Sequence, residues 1–332
     1  MIKMNYGTCI EEGFRGCVLV NREGERIYEQ AFGYADYANG RKNTLDTKFP
    51  TASAGKVFVA VAILQLIEAG KLQFTDTLGK LIPMDWKAID TDITVRQLLT
   101  HTSGIPDYFD ESVMEDYDEL WRDYPNYKIR RSSDLLPLFL EKPMMYPKGE
   151  RFQYNNTGFV VLGMIIESVT GQLFDEYLRE HIFEPAGMMD TGYYELDRLP
   201  AKCANAYIYD EERGDYYTNI YSVDVKGTGA GGAFTTVLDI LKFWDCLLAG
   251  EFISLDMVNE MTSIQASDDE DSYGYGIWIG VMEDGRCVPN FMGCDPGVSF
   301  VTSFDRTDGT CIIVVSNYGD NVWKIRKNIA DM

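Results

Sequence analysis

From Val57 to Leu64 eight consecutive residues are apolar, and Leu66 and Ile67 carry the run almost to Gly70, a residue suited to the position just past a helix end. Such a stretch has no polar stripe, so it predicts a helix covered on all sides by protein. Its entrance reads Pro50-Thr51-Ala52-Ser53-Ala54-Gly55-Lys56. Ser53 and Lys56 stand three residues apart, which on a helical turn puts both side chains on one face within hydrogen-bonding reach. An amine at the mouth of an apolar helix loses hydration; its pKa falls, and part of it is neutral near pH 7. A neutral amine can take the proton of a serine hydroxyl, and the helix N-terminus offers N–H groups where an oxyanion would form. A capping serine beside a solvated lysine has the same spacing. Against that reading, this is the sole Ser-x-x-Lys among 332 residues, and it opens the most hydrophobic helix in the chain. A phosphate-binding loop fails at Ala54-Gly55-Lys56, because Pro50 stands where that loop needs its first glycine and Val57 where it needs Ser or Thr.

The rest of the chain supplies a frame for this helix. Gly16 to Arg22 and Glu25 to Phe32 are β-prone runs separated by Glu23-Gly24, the signature of a hairpin. Thr94 is placed to cap a helix over 95–100, and Ser133 to cap one running through Leu140. Gly158 to Thr170 is a second apolar helix closed by Gly171, followed by an amphipathic segment from Gln172 to His181. From about residue 207 the pattern changes. Gly227 to Gly232 is a glycine-rich turn, Val237 to Leu248 a helix, and Tyr273 to Met282, Gly297 to Phe304 and Thr310 to Asn317 read as strands. Asn321 to Ala330 closes as a helix. Strands at both ends with helices between predict an α/β (α+β) fold: an antiparallel sheet built from both termini, flanked by helices, with an inserted, mainly helical lobe. The expected division is 1–75 and 207–332 for the sheet lobe and 76–206 for the helical lobe, with a cleft at the mouth of the Ser53 helix.

Composition narrows the partners. A net charge of −22 repels phosphate backbones and anionic membrane surfaces, so neither nucleic acid nor membrane is an expected partner. No window approaches the roughly 18 apolar residues of a membrane span, and Met1 to Phe14 lacks a signal-peptide core, so a cytoplasmic protein, or one whose leader was removed, is expected. Seven cysteines without C-x-x-C spacing read as free thiols. Two histidines, His101 and His181, at no ligand spacing argue against a histidine-built metal site. The acidic run 267–271 has Tyr273 where a calcium loop needs glycine. No metal or cofactor is expected.

Serine–lysine chemistry calls for a further proton carrier and a polar group to hold substrate. Tyr-x-Asn occurs at Tyr37, Tyr124, Tyr154 and Tyr217, and of these only Tyr154-Asn155-Asn156 immediately precedes an apolar helix. With P-T-A-S-A-G-K, L-L-T-H-T-S-G-I-P at 98–106, Y-N-N-T-G at 154–158, F-E-P-A-G-M at 183–188 and G-A-G-G at 229–232, the chain resembles the serine β-lactamase and penicillin-binding-protein superfamily, in its class C β-lactamase and esterase branch. The resemblance runs from about Gly16 to the C-terminus. It implies Ser53 as acylated nucleophile, Lys56 as its base, Tyr154 as proton shuttle and Asn156 as partner of Lys56 and substrate. A Ser103–His101 pair is the weaker rival, since neighbours two apart after a helix point different ways and no G-x-S-x-G elbow exists.

Two departures qualify the resemblance. The family's third motif, Lys-Thr-Gly or His-x-Gly, is matched by Phe291-Met292-Gly293, followed by the shared Pro296-Gly297. The Cys294 N–H would still pair with that of Ser53 as an oxyanion hole, but the cation is missing. Phe291, Met292, Gly293 and Cys294 are therefore the expected substrate-binding residues, with Lys226 and Arg286 as candidate substitutes for the cation. The first 15 residues are also short for the family's N-terminal helix. The expected function is a serine hydrolase acting on a small-molecule acyl substrate, an esterase on neutral esters before a β-lactamase or D-amino-acid peptidase. A homologue that binds an acyl group without turnover is the rival from another class.

Overall fold

Gly16–Arg22 (β1) and Glu25–Phe32 (β2) form the expected hairpin, turned by Glu23 and Gly24 with φ of 52° and 82°. The computed structural model describes residues 5–114 and 117–332. The remaining strands of the main sheet are Ala266–Ser267 (β3), Ser272–Tyr273 (β4), Trp278–Val281 (β5), Cys287–Asp295 (β6), Val298–Asp305 (β7) and Thr310–Ser316 (β8). They lie in the order β2-β1-β8-β7-β6-β5-β4-β3, antiparallel throughout, so both ends of the chain build one eight-stranded sheet.

Side-chain alternation splits this sheet into two faces. Cys17, Leu19, Phe291, Phe300, Ile313 and Val315 face one core, together with three of the four longest helices, Lys56–Glu68 (α1), Asn156–Thr170 (α2) and Val237–Leu248 (α3). Val18, Val20, Val301, Ile312 and Val314 face the other, covered by the fourth, Val322–Ala330 (α4), and by a 3₁₀ turn at Tyr6–Cys9.

Helix α1 is buried along its length from Lys56 to Leu64, in keeping with its unbroken apolar run. Ser53, however, sits in a separate 3₁₀ turn, Ala52–Gly55, just before it. Two further expectations change. The helix read from Ser133 is a 3₁₀ segment, Ser132–Leu138, with Pro137 inside it. Proline has no N–H and its ring clashes with an α-helical turn, and Asp134, not Ser133, accepts the N–H groups of Arg130 and Arg131. The strand read over 273–282 is broken between β4 and β5, where Gly276 (φ 71°) packs against the Ala60 side chain of α1. Helix α3 runs over the residues expected, capped by Thr236, and α2 ends at Gly171 in the left-handed conformation.

Candidate active site

The Ser53 turn is clamped between two backbones. The Thr51 N–H donates to Ala233 O at 2.8 Å, and the Gly232 N–H donates to Ala52 O at 3.0 Å, which seats the turn on the glycine-rich segment 227–232. On its other side passes β6. A Cβ built on Gly293 would lie 2.2 Å from Thr51 O and 2.6 Å from Ser53 N, so only glycine permits this approach. Ala52 has φ 48°, a conformation unfavourable for a residue with a side chain, directly before the serine.

Lys56 is 2 % exposed. Its Nζ lies 2.9 Å from Ser53 Oγ, 2.9 Å from Asn156 Oδ1 and 2.6 Å from Ala230 O. Two of these partners, an amide oxygen and a carbonyl, can only accept. A neutral amine that donates to both directs its lone pair at the Ser53 hydroxyl, the geometry of a base. Desolvation pulls the Lys56 pKa down to about 8, against the opposing charges of Glu111, Asp107 and Asp295.

Asn156 is held in the orientation this requires. Its Nδ2 donates to Phe109 O and to Glu111 Oε1, both at 3.2 Å, which leaves Oδ1 for the lysine. Its backbone N–H donates to Asp107 Oδ2 at 2.7 Å, and Thr157 donates to the same carboxylate through both N–H and hydroxyl, so Asp107 anchors the start of α2. Burial pushes Asp107 up to about 6.

The Tyr154 ring stacks on Trp278 (centroids 5.5 Å apart, 18°) and lies 5.0 Å from the Lys56 Nζ. Burial, followed by the charge of Glu111, raises its pKa well above the ordinary tyrosine value, while a hydrogen bond with Ser53 opposes that. Tyr154 therefore stays a phenol at neutral pH.

His101 does not pair with Ser103. Its Nδ1 accepts the Asn155 N–H at 3.1 Å, its ring lies 4.6 Å from that of Tyr154, and Ser103 Oγ accepts the Ile105 N–H at 3.3 Å. Burial pulls the imidazole pKa down well below its ordinary value, so it is neutral.

The third-motif residues divide. Phe291, 2 % exposed, stacks on Trp244 of α3 in the core, and Met292 faces the opposite side of the sheet, where its sulfur meets Trp323 Nε1 at 3.2 Å. The expectation that these two side chains contact substrate is corrected: one belongs to each core. Gly293 contributes its bare backbone. Cys294 lines the cavity over Ser53, its thiol pushed up to about 11 by desolvation and by Asp295, so it is not a thiolate near neutral pH. Neither candidate cation reaches the cavity. Lys226 pairs with Asp175 at 2.7 Å, and Arg286 pairs with Asp284 and Asp305.

That cavity, about 590 Å³, is lined by Ser53 and Asn156, by Tyr108, Phe109 and Tyr117, and by Glu111, Asp224 and Asp295. Its described lining contains no Lys or Arg. The three carboxylates escaped the sequence reading, although Asp295 stands two residues past Gly293, on the same face of β6, and strand alternation would have found it.

The Beta-lactamase family model matches residues 10–329, and the chain belongs to this family of serine hydrolases. The crystal structure of a penicillin-binding protein from Bacillus halodurans is 39% identical, with a TM-score of 0.93 over 98% of this chain and 99% of that one. PbpX of Bacillus subtilis (strain 168), whose name assigns it provisionally to the penicillin-binding proteins, is 29% identical over 94% of this chain and 72% of its own length. D-amino acid amidase from Ochrobactrum anthropi SV3, complexed with L-phenylalanine, shares the fold, with a TM-score of 0.80 at 22% identity over 98% and 95% of the two chains. Among the described residues no single helix is long and apolar enough to cross a membrane.

Proposed function

We propose that Ser53 is acylated by an ester substrate and that water then releases the acyl group, with Lys56 as the base, Tyr154 as the proton carrier to the leaving group, and Asn156 as the residue that orients Lys56. The N–H groups of Ser53 and Cys294 stabilise the tetrahedral oxyanion. The observation that carries this reading is the buried Lys56 amine, directed at Ser53 by two acceptors at the floor of a substrate-sized cavity. The cavity takes Ser53 from 1–75, Asn156 from 76–206 and Asp295 from 207–332, which supports the division into two lobes with the site between them. Seven free thiols support a cytoplasmic setting.

The substrate we infer is a small ester without a carboxylate. β-Lactams and D-alanyl peptides carry one near the scissile carbonyl, and here it would meet Glu111, Asp224 and Asp295 and no cation among the described lining residues. Losing hydration without a partner costs at least about 3 kcal/mol, or two decades of kcat/KM. Steady-state kinetics therefore give p-nitrophenyl acetate or butyrate a kcat/KM at least about 100-fold above that for cephalosporins. Cephalosporin turnover equal to the ester's would refute the substrate assignment while leaving the Ser53 chemistry standing.

A further inference from the structure

The cavity over Ser53 has two unlike walls. One is aromatic: Phe109 and Tyr117 meet edge-on with centroids 4.8 Å apart, and the Tyr108 hydroxyl lies 3.3 Å from that of Tyr117. The other carries Asp224 and Asp295, with Glu111 exposed at the rim. Three other carboxylates withdrawn from water have strong partners. Asp175 holds Lys226 at 2.7 Å, Asp239 holds Lys242 at 2.8 Å, and Asp107 accepts three hydrogen bonds from Asn156 and Thr157. Asp295 is half-buried and makes no side-chain hydrogen bond or ion pair with any described residue. Asp224 accepts from the Tyr117 hydroxyl at 3.3 Å and from its own backbone N–H, and has no Lys or Arg partner among the described residues. Lys56 offsets the charge of Asp295 only in part: its amine is hydrogen-bonded to Ser53, Asn156 and Ala230 and makes no ion pair with either carboxylate. An unpaired carboxylate facing a concave, partly dry space is unfavourable in the empty protein and is relieved by a bound cation.

We propose that this cavity selects substrates with an alkylammonium head on an apolar body, the head on Asp295 and Asp224 and the body against Tyr108, Phe109 and Tyr117. This deepens, and rests on, the reading of the cavity as the substrate pocket of Ser53. It orders substrates by charge: cationic above neutral above anionic. The protein's net charge of −22 works in the same direction by drawing cations toward the cleft. Burial pushes both Asp224 and Asp295 up to about 7, and the charge of Asp224 adds to the effect on Asp295; the other groups facing them are Glu111, Lys56, Tyr108, Tyr117 and Cys294. An ammonium binds the ionised carboxylates, so its advantage grows as pH rises through 7.

Three probes of one shape test this: 2-phenylethylammonium, 2-phenylethanol and 3-phenylpropanoate, titrated calorimetrically into the parent protein and into Ser53→Ala at pH 8. The ammonium binds at least about tenfold tighter than the alcohol, and the carboxylate binds weakest. Asp295→Asn and Asp224→Asn each lower the ammonium-to-alcohol ratio, whereas a merely structural role would weaken both ligands together and leave the ratio in place. A parent ratio near one, no detectable ammonium binding, or a ratio untouched by both substitutions overturns the proposal. So does inhibition of ester hydrolysis that is not competitive. If no ester is hydrolysed, the assignment of Ser53 fails, and the binding ratio still decides the cation preference by itself.

Discussion

Lys56→Arg loses turnover nearly as completely as Lys56→Ala, each lowering kcat/KM for a neutral ester by on the order of 10³-fold or more. Guanidinium keeps its proton at any accessible pH, so it can supply charge beside Ser53 but cannot accept the hydroxyl proton. Lys56 is a base only when neutral, and desolvation sets its pKa to about 8. Activity on a neutral ester therefore climbs with pH and levels off above about 8; below that it falls as the amine takes up its proton. Glu111→Gln removes the largest of the charges that oppose this depression, so it moves the acid limb to lower pH. Substantial activity in Lys56→Arg, or a limb unmoved by Glu111→Gln, would make the lysine an electrostatic element and not a base.

Gly293→Ala lowers kcat/KM by about 10²-fold or more while the fold survives. The added carbon would sit 2.2 Å from Thr51 O, 2.6 Å from Ser53 N and 2.7 Å from Ala54 N, so β6 and the Ser53 turn must part. That separation breaks the pairing of the Ser53 and Cys294 N–H groups around one oxyanion. The stability loss is that of modest overpacking, about 1–3 kcal/mol, which denaturant titration resolves from the kinetic effect. Parent-like activity would mean the strand is not seated against the nucleophile.

Capping and turn chemistry is legible in sequence where nothing nearby competes with it; at Ser133 the neighbouring Asp134 and Pro137 do compete, and the segment is a 3₁₀ turn. The apolar run gave α1, Gly171 gave the end of α2, and Glu23-Gly24 gave the hairpin, because capping and turn chemistry involve neighbours in sequence. The contact between Ser53 and Lys56 is legible for the same reason. Phe291 was misplaced because a motif position fixes a strand face but not what lies over it. Phe291, Gly293 and Asp295 share one face of β6. Trp244 covers the first, the Ser53 turn covers the second, and the cavity opens over the third. Asp107 and Glu111 meet Asn156 across 45 or more residues of chain, and Asp224 joins from a third segment. No periodicity records contacts of that range.

The central claim is that an acyl group passes through Ser53, and intact-mass spectrometry after rapid mixing with p-nitrophenyl acetate tests it most directly. The expected result is one acetyl adduct, mapped to Ser53 by peptide analysis, that disappears as the ester is consumed and never forms in Ser53→Ala. No adduct, an adduct on Ser103 or another side chain, or an adduct that persists after the ester is gone would contradict the account of this protein as a turning-over serine hydrolase.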